Sequence, residues 1–98
     1  MDLSTTKGFE WDLGNIAKVQ RRLDLATVEF AFQGRPYVAF DDKHSESEQR
    51  WLLVNRIKER YLFVAFTVRG DRVRVISARY MREKEGKKYE SWFHEDKG

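Results

Sequence analysis

The chain has no cysteine, one proline, six glycines and only two histidines. The lack of cysteine excludes disulfides and cysteine-based zinc sites. No apolar run approaches the roughly 18–20 residues of a membrane span, and residues 1–11 do not have the charged and apolar regions of a signal peptide. Of 98 residues, 41% are hydrophobic and 36% charged. We therefore expect one domain over residues 1–98, located in the cytoplasm.

Basic charge is concentrated in one part of the chain. The formal net charge is only +3 at pH 7, which permits an anionic partner without requiring one. Residues 69–88, however, contain eight basic and three acidic residues, so the rest of the chain is net acidic. This segment is the candidate surface for a polyanion such as a nucleic acid.

Apolar periodicity predicts two short helices in the first third of the chain. Ile16, Val19 and Leu23 fall on one helical face, and Asp12 precedes them as a candidate N-cap. A second helix is expected over residues 24–33, because the only proline of the chain follows it.

Strand patterns dominate the remainder. A short strand is expected over residues 8–12, and Gly70-Asp71 predicts a type II′ hairpin turn between the last two strands. Residues 82–94 return to helical spacing. The four segments rich in aromatic and β-branched residues are 37–42, 50–57, 61–69 and 72–80. The predicted fold is α+β in the order β-α-α-β-β-β-β-α, an antiparallel meander with two N-terminal helices and one C-terminal helix packed on one face.

The stretch "RGDRVRVISAR", residues 69–79, alternates arginine with apolar residues. In a regular strand Arg72 and Arg74 share one face about 7 Å apart, and Arg79 lies on the other face. Arginine binds phosphate oxygens in a bidentate manner, so the stretch predicts phosphate contacts. A solvated strand face would show the same alternation, and that interpretation stays open.

The stretch "DDKHSESEQR", residues 41–50, contains His44, Glu46 and Arg50 between two predicted strands. Such a loop can supply acid–base and anion-binding groups together. A plain polar connection with a solvated histidine fits equally well. The spacing matches no metal site, and we expect neither a metal nor another cofactor.

These stretches resemble the BrnT toxin family of type II bacterial toxin–antitoxin systems over about residues 9–90. The resemblance implies a RelE-like fold, RNA cleavage that inhibits translation, and neutralisation by a BrnA-type antitoxin. It also implies a hetero-oligomer that binds operator DNA only through the antitoxin. The resemblance rests on "FEWD" (9–12), "HSESEQR" (44–50), "RGDRVRVISAR" (69–79), Glu85 and Tyr89.

One family signature is altered in this chain. Relatives usually have Lys-His-Gly after the first helix, where this sequence has Arg22-Leu23-Asp24, and Val19 stands at the family's asparagine position. The positive charge is kept and the imidazole is lost. Either catalysis is weakened, or the position serves packing and Leu23 fills the helix face. Arg82 likewise replaces a small polar residue of the family.

The residue chemistry and the resemblance predict a metal-independent endoribonuclease. RNA brings its own nucleophile, the 2′-hydroxyl, so the protein has only to bind phosphates, stabilise charge and assist proton transfer. The catalytic candidates are Arg72, Arg74, Arg79, His44 and Glu46. The candidate RNA-binding residues are Arg22, Arg50, Arg69, Arg82, Lys84 and Tyr89.

Two other interpretations remain open at this point. A toxin-like scaffold with weakened catalysis would act as a binding module that only complexes its antitoxin. A non-catalytic nucleic-acid binder would show salt-dependent affinity for RNA without a product. The substrate RNA, free or on the ribosome, is not specified by the sequence.

Overall fold

The computed structural model describes residues 3–44 and 46–94. Four strands and four short helices make an α+β fold, and no helix in this part of the chain is long and apolar enough to cross a membrane. The strands are β1 Tyr37–Phe40, β2 Trp51–Ile57, β3 Arg60–Arg69 and β4 Arg72–Tyr80. The helices are α1 Ile16–Gln20, α2 Leu25–Phe30, α3 Glu83–Gly86 and α4 Glu90–His94, with 3₁₀ turns at Leu3–Thr5, Asp42–His44 and Lys87–Tyr89.

The sheet is an antiparallel meander in the order β1-β2-β3-β4, as predicted from the four successive segments rich in aromatic and β-branched residues. Gly70 has a φ of +61° and Asp71 is not among the residues with positive φ, in agreement with the predicted turn. The β2–β3 turn is similar, but Lys58 has a φ of 59° there, a left-handed conformation that favours glycine.

The predicted first strand is wrong. Residues 8–12 form only a single parallel bridge, between Phe9 and Val73 on the free edge of β4. The backbone N–H of Val73 donates to the Gly8 carbonyl at 2.9 Å, and the N–H of Glu10 donates to the Val73 carbonyl at 2.8 Å. Gly8, directly before the bridge, has a φ of +126°, which is outside strand geometry.

A β-bulge changes the faces of β4. Ala65 pairs with Ser77 and Phe66 pairs with Val75, which leaves Ile76 without a partner. The extra residue shifts the alternation, so Arg79 lies on the same face as Arg72 and Arg74. The prediction that Arg79 lies on the opposite face is therefore wrong.

The core lies between one face of the sheet and helices α1 and α2. Val19, Val28, Leu53, Val64 and Phe66 are almost completely buried in it. Because α1 has only five residues, its packing rather than its helix propensity stabilises it.

The C-terminal helices pack on the opposite face, contrary to the prediction that all helices share one face. Tyr37 contacts Tyr89 with ring centroids 5.1 Å apart, and Tyr61 contacts Phe93 at 5.6 Å. Both strand residues belong to the face that α1 and α2 do not cover, as the pairings with Val54 and Arg56 show. The sheet is thus covered from both sides.

The helix predicted over residues 82–94 is present but interrupted. Gly86 ends α3, and a 3₁₀ turn separates it from α4. Gly86 is buried, and a Cβ there would overlap the ring of Tyr61. Close contact with the sheet therefore requires glycine at this position.

The N-cap of α1 is Asn15 and not Asp12, contrary to the prediction. Asn15 is 3% exposed. Its amide donates to the carbonyls of Glu10 (3.0 Å) and Val75 (3.1 Å), and its Oδ1 accepts from the N–H of Asp12 at 2.8 Å. This side chain joins the N-terminal segment to β4, which leaves the Asp12 carboxylate available for another partner.

Candidate nucleic-acid interface

Arg74 is engaged by two carboxylates of the N-terminal segment. Its guanidinium donates to Asp12 at 2.8 and 3.1 Å and to Glu10 at 3.0 Å, and its side chain is 15% exposed. Hydrogen bonding to Asp12 raises the pKa of Arg74, and the same bond lowers the pKa of Asp12. The charge of Arg74 is thus balanced internally, and its geometry serves to hold the N-terminal segment against β4.

The neighbouring arginines at this end of the sheet differ in their contacts. Arg69 lies 3.4 Å from Glu10 and 3.4 Å from Glu48. Arg72 is exposed, and its side chain makes no ion pair within residues 3–44 and 46–94. Carboxylates therefore balance most of the positive charge here, and this end is not a strongly basic surface.

The loop with His44 lies at this same end. Thr67 near the end of β3 donates to the carbonyl of Gln49 at 2.6 Å, which fixes the loop there. His44 Nδ1 is 2.9 Å from Asp41 Oδ2, with 64% of the His44 side chain exposed. Glu46 is exposed, and Arg50 stands directly before β2, where its carbonyl accepts from the N–H of Asp41 at 2.9 Å.

Arg79 lies at the other end of β4. It is five residues from Arg74, which corresponds to about 16 Å along a strand. Its guanidinium donates to both carboxylate oxygens of Glu85, at 3.0 and 2.9 Å, and lies 5.3 Å from the centre of the Phe63 ring. The hydrogen bonds from Arg79, together with one from the N–H of Arg82, lower the pKa of Glu85 to about 2. Arg72, Arg74 and Arg79 therefore share a face but not a common anion pocket.

Two adjoining clefts surround Arg79 at the edge of the sheet. Their volumes are about 730 and 270 Å³, and both are lined by Arg22 and Arg79. Glu85 is the only carboxylate in their lining. We call the pair the basic cleft; its cationic lining residues are Lys18, Arg21, Arg22, Arg60, Arg79, Arg82 and Lys84.

The basic cleft is a strongly cationic concave surface, with seven cations and one carboxylate in its lining. Concave surfaces of one charge sign concentrate the field and attract polyanions. Arg60 stacks on Tyr80, with the guanidinium carbon 3.9 Å from the ring centre, so the ring holds this cation at the rim of the cleft. The arrangement is suited to the phosphates of a nucleic acid.

A family model described as the ribonuclease toxin BrnT of a type II toxin–antitoxin system matches residues 11–85. This chain belongs to the BrnT family. Searches of the curated proteins and of the solved structures give no match. The resemblance of the sequence to this family is thereby confirmed, and with it the class of ribonuclease toxin.

The stretches that resemble the BrnT family are joined to each other in space. Arg74 of "RGDRVRVISAR" binds Asp12 and Glu10 of "FEWD", and Arg79 binds Glu85. Part of the family pattern is thus an ion-pair framework that holds the N-terminal segment and α3 on β4.

Residues 22–24, where the resemblance implies an altered signature, lie partly at the basic cleft of this BrnT-family chain. Arg22 lines both parts of the cleft, and no ion pair of its side chain is found in the described part of the chain. Leu23 is 8% exposed and packs in the core with Val19. Position 23 therefore faces the core here.

The sequence-predicted candidates fall into three places. Arg22, Arg79, Arg82 and Lys84 meet in the basic cleft. Tyr89 lies against Tyr37 of β1, at the opposite edge of the sheet from β4. The remaining candidates lie at the opposite end of β4 or in the loop beside it: Arg69, Arg72, Arg74, His44, Glu46 and Arg50.

Sequence reasoning missed three of the seven cations of the basic cleft, Lys18, Arg21 and Arg60. Lys18 and Arg21 share a helical face with Arg22, since their spacing is i, i+3 and i+4, and this spacing was a usable signal. Arg60 had no such signal, because its position depends on the pairing of β3 with β4 and on the ring of Tyr80. Among residues 3–44 and 46–94, no group of three or more His, Asp or Glu side chains has the geometry of a metal site.

Proposed function

We propose that this BrnT-family chain is a metal-independent endoribonuclease that binds the RNA backbone in the basic cleft and cleaves it. The cleavage inhibits translation. The observation that supports the proposal is the gathering of seven cations around one carboxylate. RNA presents one negative charge per nucleotide, and neutralisation of these charges dominates the affinity of such surfaces.

The proposed reaction uses the 2′-hydroxyl of RNA as its nucleophile. This oxygen attacks the adjacent phosphorus, the bond to the 5′-oxygen of the next nucleotide breaks, and a 2′,3′-cyclic phosphate forms. Arg22 and Arg79 stabilise the negative charge that builds up on the phosphate oxygens, a contribution of about 10²–10³ in rate for one such donor.

Proton transfer in the basic cleft requires groups other than His44 and Glu46, since both lie at the opposite end of β4. We infer that Tyr80, a lining residue of the cleft, or a water molecule relays the proton of the 2′-hydroxyl to the departing 5′-oxygen. His44 and Glu46 stay candidates only for an RNA that reaches both ends of the strand.

The finer features implied by the family also belong to this proposal. The fold is RelE-like, supported by the four-stranded antiparallel meander. The chain acts in the cytoplasm, on free RNA or on RNA bound to the ribosome. A BrnA-type antitoxin neutralises it in a hetero-oligomer, and operator DNA is bound through the antitoxin alone.

The test compares the two ends of β4. The wild type, the double variant Arg22→Ala/Lys84→Ala and the control Arg72→Ala are expressed in bacteria without antitoxin, and the purified proteins are given a single-stranded RNA with chelator present. We expect growth arrest and cyclic-phosphate products for the wild type and for Arg72→Ala, and loss of both for the double variant. An RNA with 2′-deoxy substitution at the cleavage site should stay intact.

A binding module that only complexes its antitoxin is the second candidate. The observation that favours it is the internal pairing of Arg74 and Arg79 with carboxylates, because each guanidinium is already hydrogen-bonded within the protein. Harmless overexpression of the wild type, with intact RNA after prolonged incubation, would support the module and reject the nuclease. Equal activity of the wild type and the double variant would remove the basic cleft from the mechanism.

A further inference from the structure

Lysines of the C-terminal helical segment reach two clefts. Lys84 lines the basic cleft, and Lys88 lines a second cleft of about 350 Å³. The acidic residues Glu83 and Glu90 line a further cleft, which shares Arg60 and Arg82 with the basic cleft. The lining of the second cleft contains no carboxylate. The segment therefore places one lysine at each of the two clefts.

The second cleft is aromatic. The Tyr37 ring contacts the rings of Tyr89 and Trp92, with centroids 5.1 and 5.5 Å apart. Trp92 is 39% exposed, the most exposed tryptophan of the described residues. Its indole N–H donates to the carbonyl of Arg35 at 3.0 Å, which fixes the ring while part of its surface faces solvent. We call this group the aromatic cleft.

The two clefts lie near opposite edges of the same sheet face. Arg79 is on β4 and Tyr37 is on β1, and the pairings through Val54 and Phe63 place both in one row across the four strands. Three strand spacings correspond to about 14–15 Å, a distance that a few nucleotides span. The Lys88 ammonium lies 5.4 Å from the Tyr89 ring, so a cation and exposed aromatic surface occur together at the far end.

We propose that the aromatic cleft is a second RNA subsite, where a base of the single strand held in the basic cleft stacks on Trp92 and a phosphate contacts Lys88. This inference rests on the proposed function and extends it, because it assigns the substrate class as single-stranded RNA that crosses the C-terminal segment. Proteins that bind single strands combine a cationic track with aromatic stacking platforms, and a duplex cannot unstack a base without cost.

The test uses 2′-O-methyl oligonucleotides, which bind without being cleaved. A trinucleotide fits the basic cleft alone, whereas an octanucleotide reaches the aromatic cleft. We expect the octanucleotide to bind at least about fivefold more tightly than the trinucleotide and to quench tryptophan fluorescence. An octamer duplex should show no such gain.

Two variants and a control assign the effect to the aromatic cleft. Lys88→Ala should lower the salt dependence of octanucleotide binding by about 0.7 in the slope of log K against log salt and leave trinucleotide binding unchanged. Trp92→Phe should abolish most of the quenching. Lys43 is an exposed lysine in the loop of residues 41–50, at the opposite end of β4. The control Lys43→Ala should match the wild type in both measurements.

Failure of this inference differs from failure of the proposed function. If Lys88→Ala binds the octanucleotide with the wild-type salt slope, or if Trp92→Phe keeps the full quenching, the second subsite does not exist. The basic cleft is then still supported if Arg22→Ala/Lys84→Ala weakens trinucleotide binding. If that double variant binds the trinucleotide like the wild type, the proposed function fails and the second subsite with it.

Discussion

Glu85 accepts two hydrogen bonds from the guanidinium of Arg79, at 3.0 and 2.9 Å, inside a cleft that is otherwise cationic. The carboxylate occupies the donors that a phosphate would use. An incoming phosphate therefore competes with Glu85 for Arg79 or binds beside the pair through other cations of the cleft.

We predict that Glu85→Gln strengthens phosphate binding in the basic cleft. The substitution removes the one negative charge of the lining, and an electrostatic effect of about fivefold on affinity is expected for a unit charge about 4 Å away in water. The affinity for inorganic phosphate or a non-cleavable trinucleotide, measured by calorimetry, checks it. Glu46→Gln is the matched control, because Glu46 is exposed in the loop at the opposite end of β4; unchanged or weaker binding by Glu85→Gln would contradict the competition.

The same pair predicts a dependence of stability on acid. The pKa of Glu85 is lowered from 4.5 to about 2, mainly by the hydrogen bonds from Arg79. Because the folded state holds this proton less tightly than the unfolded state, the pair stabilises the fold fully above pH 4.5, and the stabilisation is lost as the pH falls towards 2. Thermal unfolding between pH 6 and pH 2.5 should show the melting temperature falling in this window.

In Glu85→Gln the melting temperature should fall less over this pH range. The difference in melting temperature between the wild type and the variant should shrink as Glu85 becomes protonated. The lowered pKa of Asp12 beside Arg74 adds a fall of the same direction that both proteins share. A wild-type-minus-variant difference that stays constant over this range would show that the ion pair does not cause the pH dependence.

Asn15→Asp should destabilise the fold although the two side chains have nearly the same shape. An ionised carboxylate cannot donate to the carbonyls of Glu10 and Val75, which Asn15 satisfies from a position only 3% exposed. A buried acceptor that loses its donor costs about 1–3 kcal/mol. Urea unfolding measures the loss, and Gln20→Glu at the exposed end of α1 is the control, with an expected change within about 0.5 kcal/mol.

Gly86→Ala should also destabilise, in opposition to helix propensity. Alanine is favoured over glycine by about 1 kcal/mol inside a helix, yet a Cβ at this position would overlap the Tyr61 ring. We expect a net loss of about 1–3 kcal/mol from overpacking, measured by urea unfolding.

Two comparisons make the Gly86→Ala prediction specific. In the background Tyr61→Ala, the same substitution should lose its penalty, because the ring that it would meet is absent. Ser91→Ala, at an exposed site in α4, should be nearly neutral. A stabilised Gly86→Ala protein would show that the C-terminal segment does not pack closely on β3.

The four strands were predictable from sequence because each segment is rich in aromatic and β-branched residues. The observed bounds of β4 equal the predicted ones, and those of the other three strands differ by one or two residues at one end. Residues 8–12 also contain aromatic residues, but they do not form a regular strand. Gly8 has a φ of +126°, and the segment makes one bridge to β4. Composition therefore indicated an extended segment there, but not how many of its residues pair with β4.

The candidate site was less predictable, because it depends on contacts that are distant in sequence. Arg22 and Arg79 meet only after α1 packs beside β4, and Arg60 joins them through Tyr80. The balancing carboxylates Asp12 and Glu85 were visible in the sequence, yet their pairing with particular arginines was not. A count of charges therefore identified the right segment and overestimated how many of its arginines face a ligand.

The bulge at Ile76 means that the chain specifies the basic cleft by the number of residues as well as by their kind. Deletion of Ile76 would restore strict alternation in β4. Arg79 would then point to the face that packs against α1 and α2, and Ala78 would point to the opposite face. Substitutions along β4 act one side chain at a time, whereas a change in its length exchanges the inside and the outside of everything beyond the bulge. Variants that change the length of β4 should therefore keep the unpaired position at Ile76.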